Sequence, residues 1–339
     1  MITDNLHSFL VLFAAIALFA GCTQPGEAQL PPDGGRVVVN FHGEITRSPT
    51  DDNVESLDLI AFRTQDGCLD AAGRTSGGSG ISASLSCGIP LTIYILANSA
   101  EGVLDGIESL QEFLESETLL EESTPDKPVM FDCFKTEGLS VQDNGKSIAI
   151  RLKRYVAKVS IGTVSVNWLE GFDPVPDCSI GRIALVNAKG STRRSGDNPQ
   201  YGDVWYNKSD LDAPPEVAGM LIRNAGITVT DAQPVTCNTT LYTMPNHSDS
   251  EAYYDGGQWT PRRSRIAIEL IIDGIAQWYP VTLPALDGNC HYHISNVSIT
   301  GPGAVHPDGE ILRSFIGFTI SLAPWTENNE SIDFNNNQI

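Results

Sequence analysis

Alternation between apolar and polar positions runs through most of the chain. Val37, Val39 and Phe41 alternate with Val38, Asn40 and His42, the period-2 signature of a strand with one buried face. A polar stretch at 43–55 interrupts the pattern, and residues 57–62 resume it. A Gly/Ser-rich loop at 71–80 then leads to strands at 81–85 and 91–96. The longest β-type run is 146–166, with Ile148, Ile150 and Leu152 on one face and Tyr155, Ala157, Val159 and Ile161 after a phase change at Lys153-Arg154, where we place a domain junction. Further strands are expected at 182–187, 226–230, 266–273, 276–283, 291–300 and 315–322. Asp273-Gly274 between two of them is a hairpin signal. Residues 189–201 and 243–263, rich in Gly, Pro, Asn and Ser, read as long surface loops.

One helix interrupts the strands. Asn98 with Glu101 makes a start of the capping-box type, and Val103, Ile107, Leu110, Phe113 and Leu114 fall on one stripe, so the helix is expected to lie across a sheet of the first domain. Short strands separated by turns imply a sandwich or barrel rather than an α/β fold.

Length and charge narrow the class. A chain of 339 residues has room for two domains of roughly 150 residues, each large enough for its own core. The net charge of −21 argues against nucleic acid as a partner, because phosphate binding needs clustered Lys and Arg. Much of the acid is concentrated in Glu101, Asp105, Glu108, Glu112, Glu115, Glu117, Glu121, Glu122 and Asp126. EF-hand spacing is absent there, so the cluster reads as a solvated face.

The N-terminus speaks to compartment. Residues 9–20 form an apolar run too short to span a bilayer, of the length of a signal-peptide core. The run ends in Phe19-Ala20-Gly21-Cys22, which resembles a bacterial lipobox. That resemblance makes 1–21 a lipoprotein signal peptide and Cys22 the lipidated residue, carrying acyl chains such as palmitate. Residues 22–35 are rich in Pro, Gly and polar side chains and read as a tether.

Candidate chemistry is sparse. Six further cysteines, Cys68, Cys87, Cys133, Cys178, Cys237 and Cys290, permit fifteen pairings, and the spacing selects none. Cys68 and Cys87 flank the Gly/Ser segment, so a bridge closing it and a pair of buried thiols are both open. No CxxC occurs. His291 and His293 point to one face of a strand without a third metal ligand in view. Neither GxSxG, HExxH, GxxxxGK nor GxGxxG is present, so no catalytic residue, metal or cofactor is expected. Trp205, Tyr206, Tyr253, Tyr254 and Trp259 lie in or beside the long loops, as rim-packing aromatics or as a surface for sugar rings.

Taken in order, several segments resemble the fimbrillins of Bacteroidales, the subunits of type V pili. They are the lipobox at Cys22; Thr46-Arg47 before the strand at 57–62; Tyr94-Ile95-Leu96-Ala97-Asn98-Ser99; and residues 151–159. Further on come Tyr242-Thr243-Met244-Pro245-Asn246, His291-Tyr292-His293-Ile294 with residues 299–303, and residues 318–325. The resemblance implies an all-β fold with one or two short helices, as two transthyretin-like antiparallel β-sandwich domains at 36–153 and 154–339.

It also implies assembly into a fimbrium that mediates cell adhesion. A lipoprotein precursor on the outer membrane is cut after an arginine, the first strand leaves, and another subunit fills its groove. The matching arginine is Arg47, and the removable strand carries Val37, Val39 and Phe41. A donor segment is expected at 318–334, with Phe318, Ile320, Leu322, Trp325, Ile332 and Phe334, although the same residues read equally well as a last strand and tail. The implied partners are other fimbrial subunits, the outer membrane through the lipid, and a host or bacterial surface ligand. The alternative is a surface glycan-binding lipoprotein that uses the loop aromatics.

Overall fold

The computed structural model describes residues 35–45, 53–78, 80–171, 177–196, 202–230, 233–324 and 332–335; Cys22, Arg47 and Trp325, with the signal-peptide and tether readings, lie outside the described residues. The first half of the chain supplies β1 (Arg36–Ile45), β2 (Ser56–Arg63), β3 (Leu69–Ser76), β4 (Gly80–Ser86) and β5 (Leu91–Ala97). After them come helix α1 (Leu110–Glu115), β6 (Glu117–Leu119), β7 (Met130–Thr136) and β8 (Ser147–Arg154). Seven of these strands form a sheet in the order β3-β2-β5-β7-β8-β1-β4. Its β7–β8 seam consists of only Met130↔Arg154 and Phe131↔Lys153, and there the sheet folds over. The two halves enclose one core, with Val39, Phe41, Leu85 and Ile150 from one layer and Leu57, Leu59, Ile93 and Ile95 from the other. The alternation seen in the sequence sets this inward face.

A second sandwich follows from β9 (Ala157–Val166), β10 (Cys178–Val186), β11 (Ala188–Lys189), β12 (Ser191–Arg193) and β13 (Trp205–Tyr206). Helix α2 (Pro215–Leu221), β14 (Ile222–Val229), β15 (Val235–Thr243), β16 (Arg265–Ile272), β17 (Ile275–Thr282), β18 (Cys290–Ile299), β19 (Ile316–Pro324) and β20 (Ile332–Asn335) complete it. Sheets ordered β14-β10-β16-β17 and β15-β9-β18-β19-β20 pack Ile180, Ile183, Ile268 and Leu270 against Val159, Ile161, Ile294 and Val297. The β16–β17 hairpin turns at Asp273 (φ 48°) and Gly274 (φ 81°), the left-handed pair that an Asp-Gly turn adopts.

Short strands outside the main sheets join the two halves. β6 pairs with β12 from Ser191↔Leu119 to Arg193↔Glu117. Beside them Phe131 stacks on Tyr155, with ring centroids 4.4 Å apart, and the buried Arg194 guanidinium reaches Glu122 at 3.3 Å.

Three expectations need correction. The helix does not begin at Asn98: Gly102 and Gly106 take positive φ and break the segment into turns, so only Leu110–Glu115 is helical, under a Ser109/Glu112 capping box. Phe113 still lies on the outer face of the sheet, against Ile60, Phe62 and Tyr94. Asn98, at φ 60°, instead accepts the Glu55 N–H at 2.9 Å and donates to the Asn53 and Pro128 carbonyls. Residues 71–76 are strand, not loop. As part of β3, which among the described residues is an edge strand paired with β2, they form a ladder without needing apolar side chains. The loop expected at 189–201 contains β12, which pairs with β6, and begins at the end of β11, which pairs with β13; residues 244–263 lie outside the named strands, as expected. The bridge between Cys68 and Cys87 is not made, since Cys87 is a buried thiol; Cys178, Cys237 and Cys290 are likewise unbridged.

Candidate functional site

The seat of the first strand is the feature with chemistry to offer. β1 is an interior strand: it pairs antiparallel with β4 from Arg36↔Ser86 to His42↔Gly80, and parallel with β8 from Asn40↔Ser147 to Ile45↔Leu152. Val37, Val39 and Phe41 are 2%, 0% and 0% exposed, while Val38 between them is 45% exposed. Phe41 also meets Phe134 edge to face, with centroids 6.2 Å apart. Burying three such side chains stabilises the sandwich by about 5–8 kcal/mol. Removing β1 would therefore leave an apolar groove whose two walls, β4 and β8, each present unpaired backbone groups.

Polar contacts fasten both sides of the strand. At its start, the Arg36 guanidinium donates to the Asp70 carbonyl at 3.0 Å and to Ser86 Oγ at 3.3 Å, and lies 3.6 Å from the Asp70 carboxylate. On the other side, Asn144 Oδ1 accepts the Val38 N–H at 3.0 Å, Gly145 N–H donates to the Val38 carbonyl at 2.7 Å, and Asn40 N–H donates to the Lys146 carbonyl at 2.8 Å. The turn supplying these groups is held by Asp143, whose carboxylate accepts from Ser140 N–H, Ser140 Oγ and Lys146 Nζ. Sequence reading missed this latch. Asp143-Asn144-Gly145 was legible as a turn, but its contact with a strand about a hundred residues earlier was not.

Those hydrogen bonds, led by the Ser140 N–H, hold the Asp143 carboxyl down at about 2. A carboxyl with its folded pKa below the unfolded value of about 3.9 adds stability above that value, and the contribution is lost as pH falls through about 2. Amide exchange at Val38 and Asn40, corrected for its intrinsic pH dependence, is thus expected to accelerate as pH falls from about 4 toward 2. In Asp143→Asn this acceleration should be absent; equal pH dependence in the two proteins would show that the turn does not hold the strand.

Of the other sequence-derived candidates, Phe318, Ile320 and Leu322 lie in β19, between β18 and β20. Ile320 is fully buried, and Phe318 and Leu322 pack on the same core. Ile332 and Phe334 lie in β20, opposite Leu322 and Ile320 at the sheet edge. Arg47 falls between the end of β1 and the start of β2. Two other arginines near β1 and β2 are engaged: Arg36 as above, and Arg63, at the end of β2, with Asp66 at 2.9 Å. His291 Nε2 and His293 Nδ1 both hydrogen bond Ser160 Oγ, at 2.7 and 2.8 Å. Among the described residues no group of three His, Cys, Asp or Glu side chains gathers around a common point, and no described helix is long and apolar enough to cross a membrane.

Two packed β-sandwiches, with an interior first strand and a C-terminal strand at a sheet edge, define the chain as an all-β, double-sandwich protein. Among solved structures it is similar to a candidate cell adhesion protein from Bacteroides eggerthii, at 15% identity and a TM-score of 0.63 over 86% of this chain and 97% of that one. The fimbrilin of Porphyromonas gingivalis matches at 16% identity and a TM-score of 0.56, over 87% and 99%. A C-terminally truncated tip fimbrial protein of the same organism matches at 15% and 0.51, over 86% and 100%. No family model and no curated protein sequence matches the chain.

Proposed function

We propose that this chain is a structural subunit of a fimbrial, adhesive appendage, exported as a lipoprotein on Cys22 and assembled by strand replacement. The supporting observation is the seating of β1: three buried apolar side chains on an interior strand that is joined to β2 through a short polar segment carrying Arg47. Cleavage after Arg47 separates β1 covalently from the sandwich, and its groove then takes an extended strand from a second subunit. Backbone ladders provide the affinity and alternate side chains set the register. The donor on this reading comes from 318–334, starting with β20, because an edge strand leaves without unzipping the core. Similarity in fold to a fimbrilin and a tip fimbrial protein supports the same reading.

Treating the purified precursor with an arginine-specific protease tests it. The expected products are a new N-terminus at Ser48 and oligomers that resist dilution. A cleaved protein that releases residues 36–45 yet stays monomeric, or a precursor that polymerises uncut, would overturn the scheme.

A further inference from the structure

At one end of the second sandwich, a cavity of about 330 Å³ is lined by Lys189, Asp203, Trp205, His247, Asp249 and Ser250 among others. This is within the range of small-molecule sites, about 300–1,000 Å³. Its floor is rigid. Lys189 and Trp205 are cross-strand partners in the β11–β13 ribbon, and the Lys189 carbonyl is tied down by Met244 N–H and Thr243 Oγ1, both at 3.0 Å.

Trp205 is half-buried and meets Trp259 edge to face, with centroids 5.3 Å apart. Trp259 is itself fixed by its indole N–H, which donates to Asn187 Oδ1 at 2.7 Å. Lys189 is only 2% exposed, yet it lines the cavity, with Nζ 5.7 Å from the Trp205 ring centroid.

We propose that this cavity is a carbohydrate subsite that takes a neutral hexopyranose, stacked on Trp205 and hydrogen bonded by Lys189, Asp203 and Asp249. An indole surface suits the C–H face of a sugar ring. Ring hydroxyls both donate and accept, and here one ammonium stands among carboxylates and serine hydroxyls. A ligand carrying its own carboxylate would be opposed by Asp203 and Asp249. Burial, opposed by Asp203 and Glu117, pushes the Lys189 ammonium down to about 8. The subsite gives a ligand class to the adhesive role proposed above. It is measured on the uncut monomer, so a failure of strand replacement leaves it standing.

The experiment is titration of the uncut monomer with methyl α-mannoside, methyl β-galactoside, N-acetylglucosamine and glucuronate, followed by the Trp205 indole N–H resonance and by calorimetry. At least one neutral sugar should shift the Trp205 signal at millimolar concentration and bind more tightly than glucuronate. Trp205→Ala should weaken binding about tenfold or more, equivalent to about 1.4 kcal/mol, with Trp205→Phe intermediate. Asp203→Asn, at an exposed position, should weaken it with an unchanged melting temperature, which separates lost binding from lost folding. Absence of any shift with the neutral sugars, tighter binding of glucuronate, or binding unaffected by both Trp205→Ala and Asp203→Asn would overturn the assignment.

Discussion

Phe41→Ala is expected to lower the unfolding free energy by about 3–5 kcal/mol, the range for emptying a buried aromatic site. Phe41 is fully buried, sits opposite Ile81 on β4 and Ile148 on β8, and leans on Phe134. Val38→Ala, three positions earlier on the opposite, 45% exposed face, should stay within about 0.5 kcal/mol. Urea denaturation of the two variants reads the difference, and similar midpoints would mean that the inward face of β1 carries little of the fold. The same side chain should govern strand replacement: a peptide of residues 36–45 added during cleavage should suppress oligomers, and the Phe41→Ala peptide should do so poorly.

The second large effect concerns the joint between the sandwiches. Glu122→Gln is expected to cost about 3–5 kcal/mol, because removing one charge of a buried pair strands the other. The Arg194 and Glu122 side chains are 6% and 12% exposed and meet through both guanidinium nitrogens, at 3.3 and 3.4 Å. Arg194 also donates to the Glu117 carbonyl, and its own carbonyl accepts from the Tyr155 hydroxyl. Chain segments 117–122 and 191–194 therefore tie one sandwich to the other. Calorimetry of Glu122→Gln should show a single transition broadening or splitting in two. Arg194→Met combined with Glu122→Leu should recover much of the loss, since apolar replacement removes both desolvation penalties. A single unchanged transition in Glu122→Gln would assign the coupling to the β6–β12 ladder alone.

Several features were legible because their causes are local. The alternation of Val37, Val39 and Phe41 named the buried face of β1, since a strand's side chains change sides at every residue. Asp273-Gly274 announced a hairpin because both residues tolerate positive φ. The helix was misjudged for the same kind of reason: its apolar stripe was real, but Gly102 and Gly106 end the regular backbone and leave only the last turns to Ser109 and Glu112. β3 was hidden because an edge strand needs partners rather than apolar residues. β11 and β13 were hidden because two-residue strands have no period to detect.

By itself, the amino-acid sequence determined the β-rich class, the acidic balance that disfavours nucleic acid, and which side chains of the first strand turn inward. Spacing of apolar residues and turn chemistry act within a few residues, so they survive without a fold. Tertiary structure alone decided that β1 lies between β4 and β8 rather than at an edge, that Asn144 and Lys146 grip it, and that Lys189 and Trp205 share a cavity wall. Each of these contacts joins distant parts of the chain, and only the closing of the sheets brings their partners within hydrogen-bond or van der Waals reach.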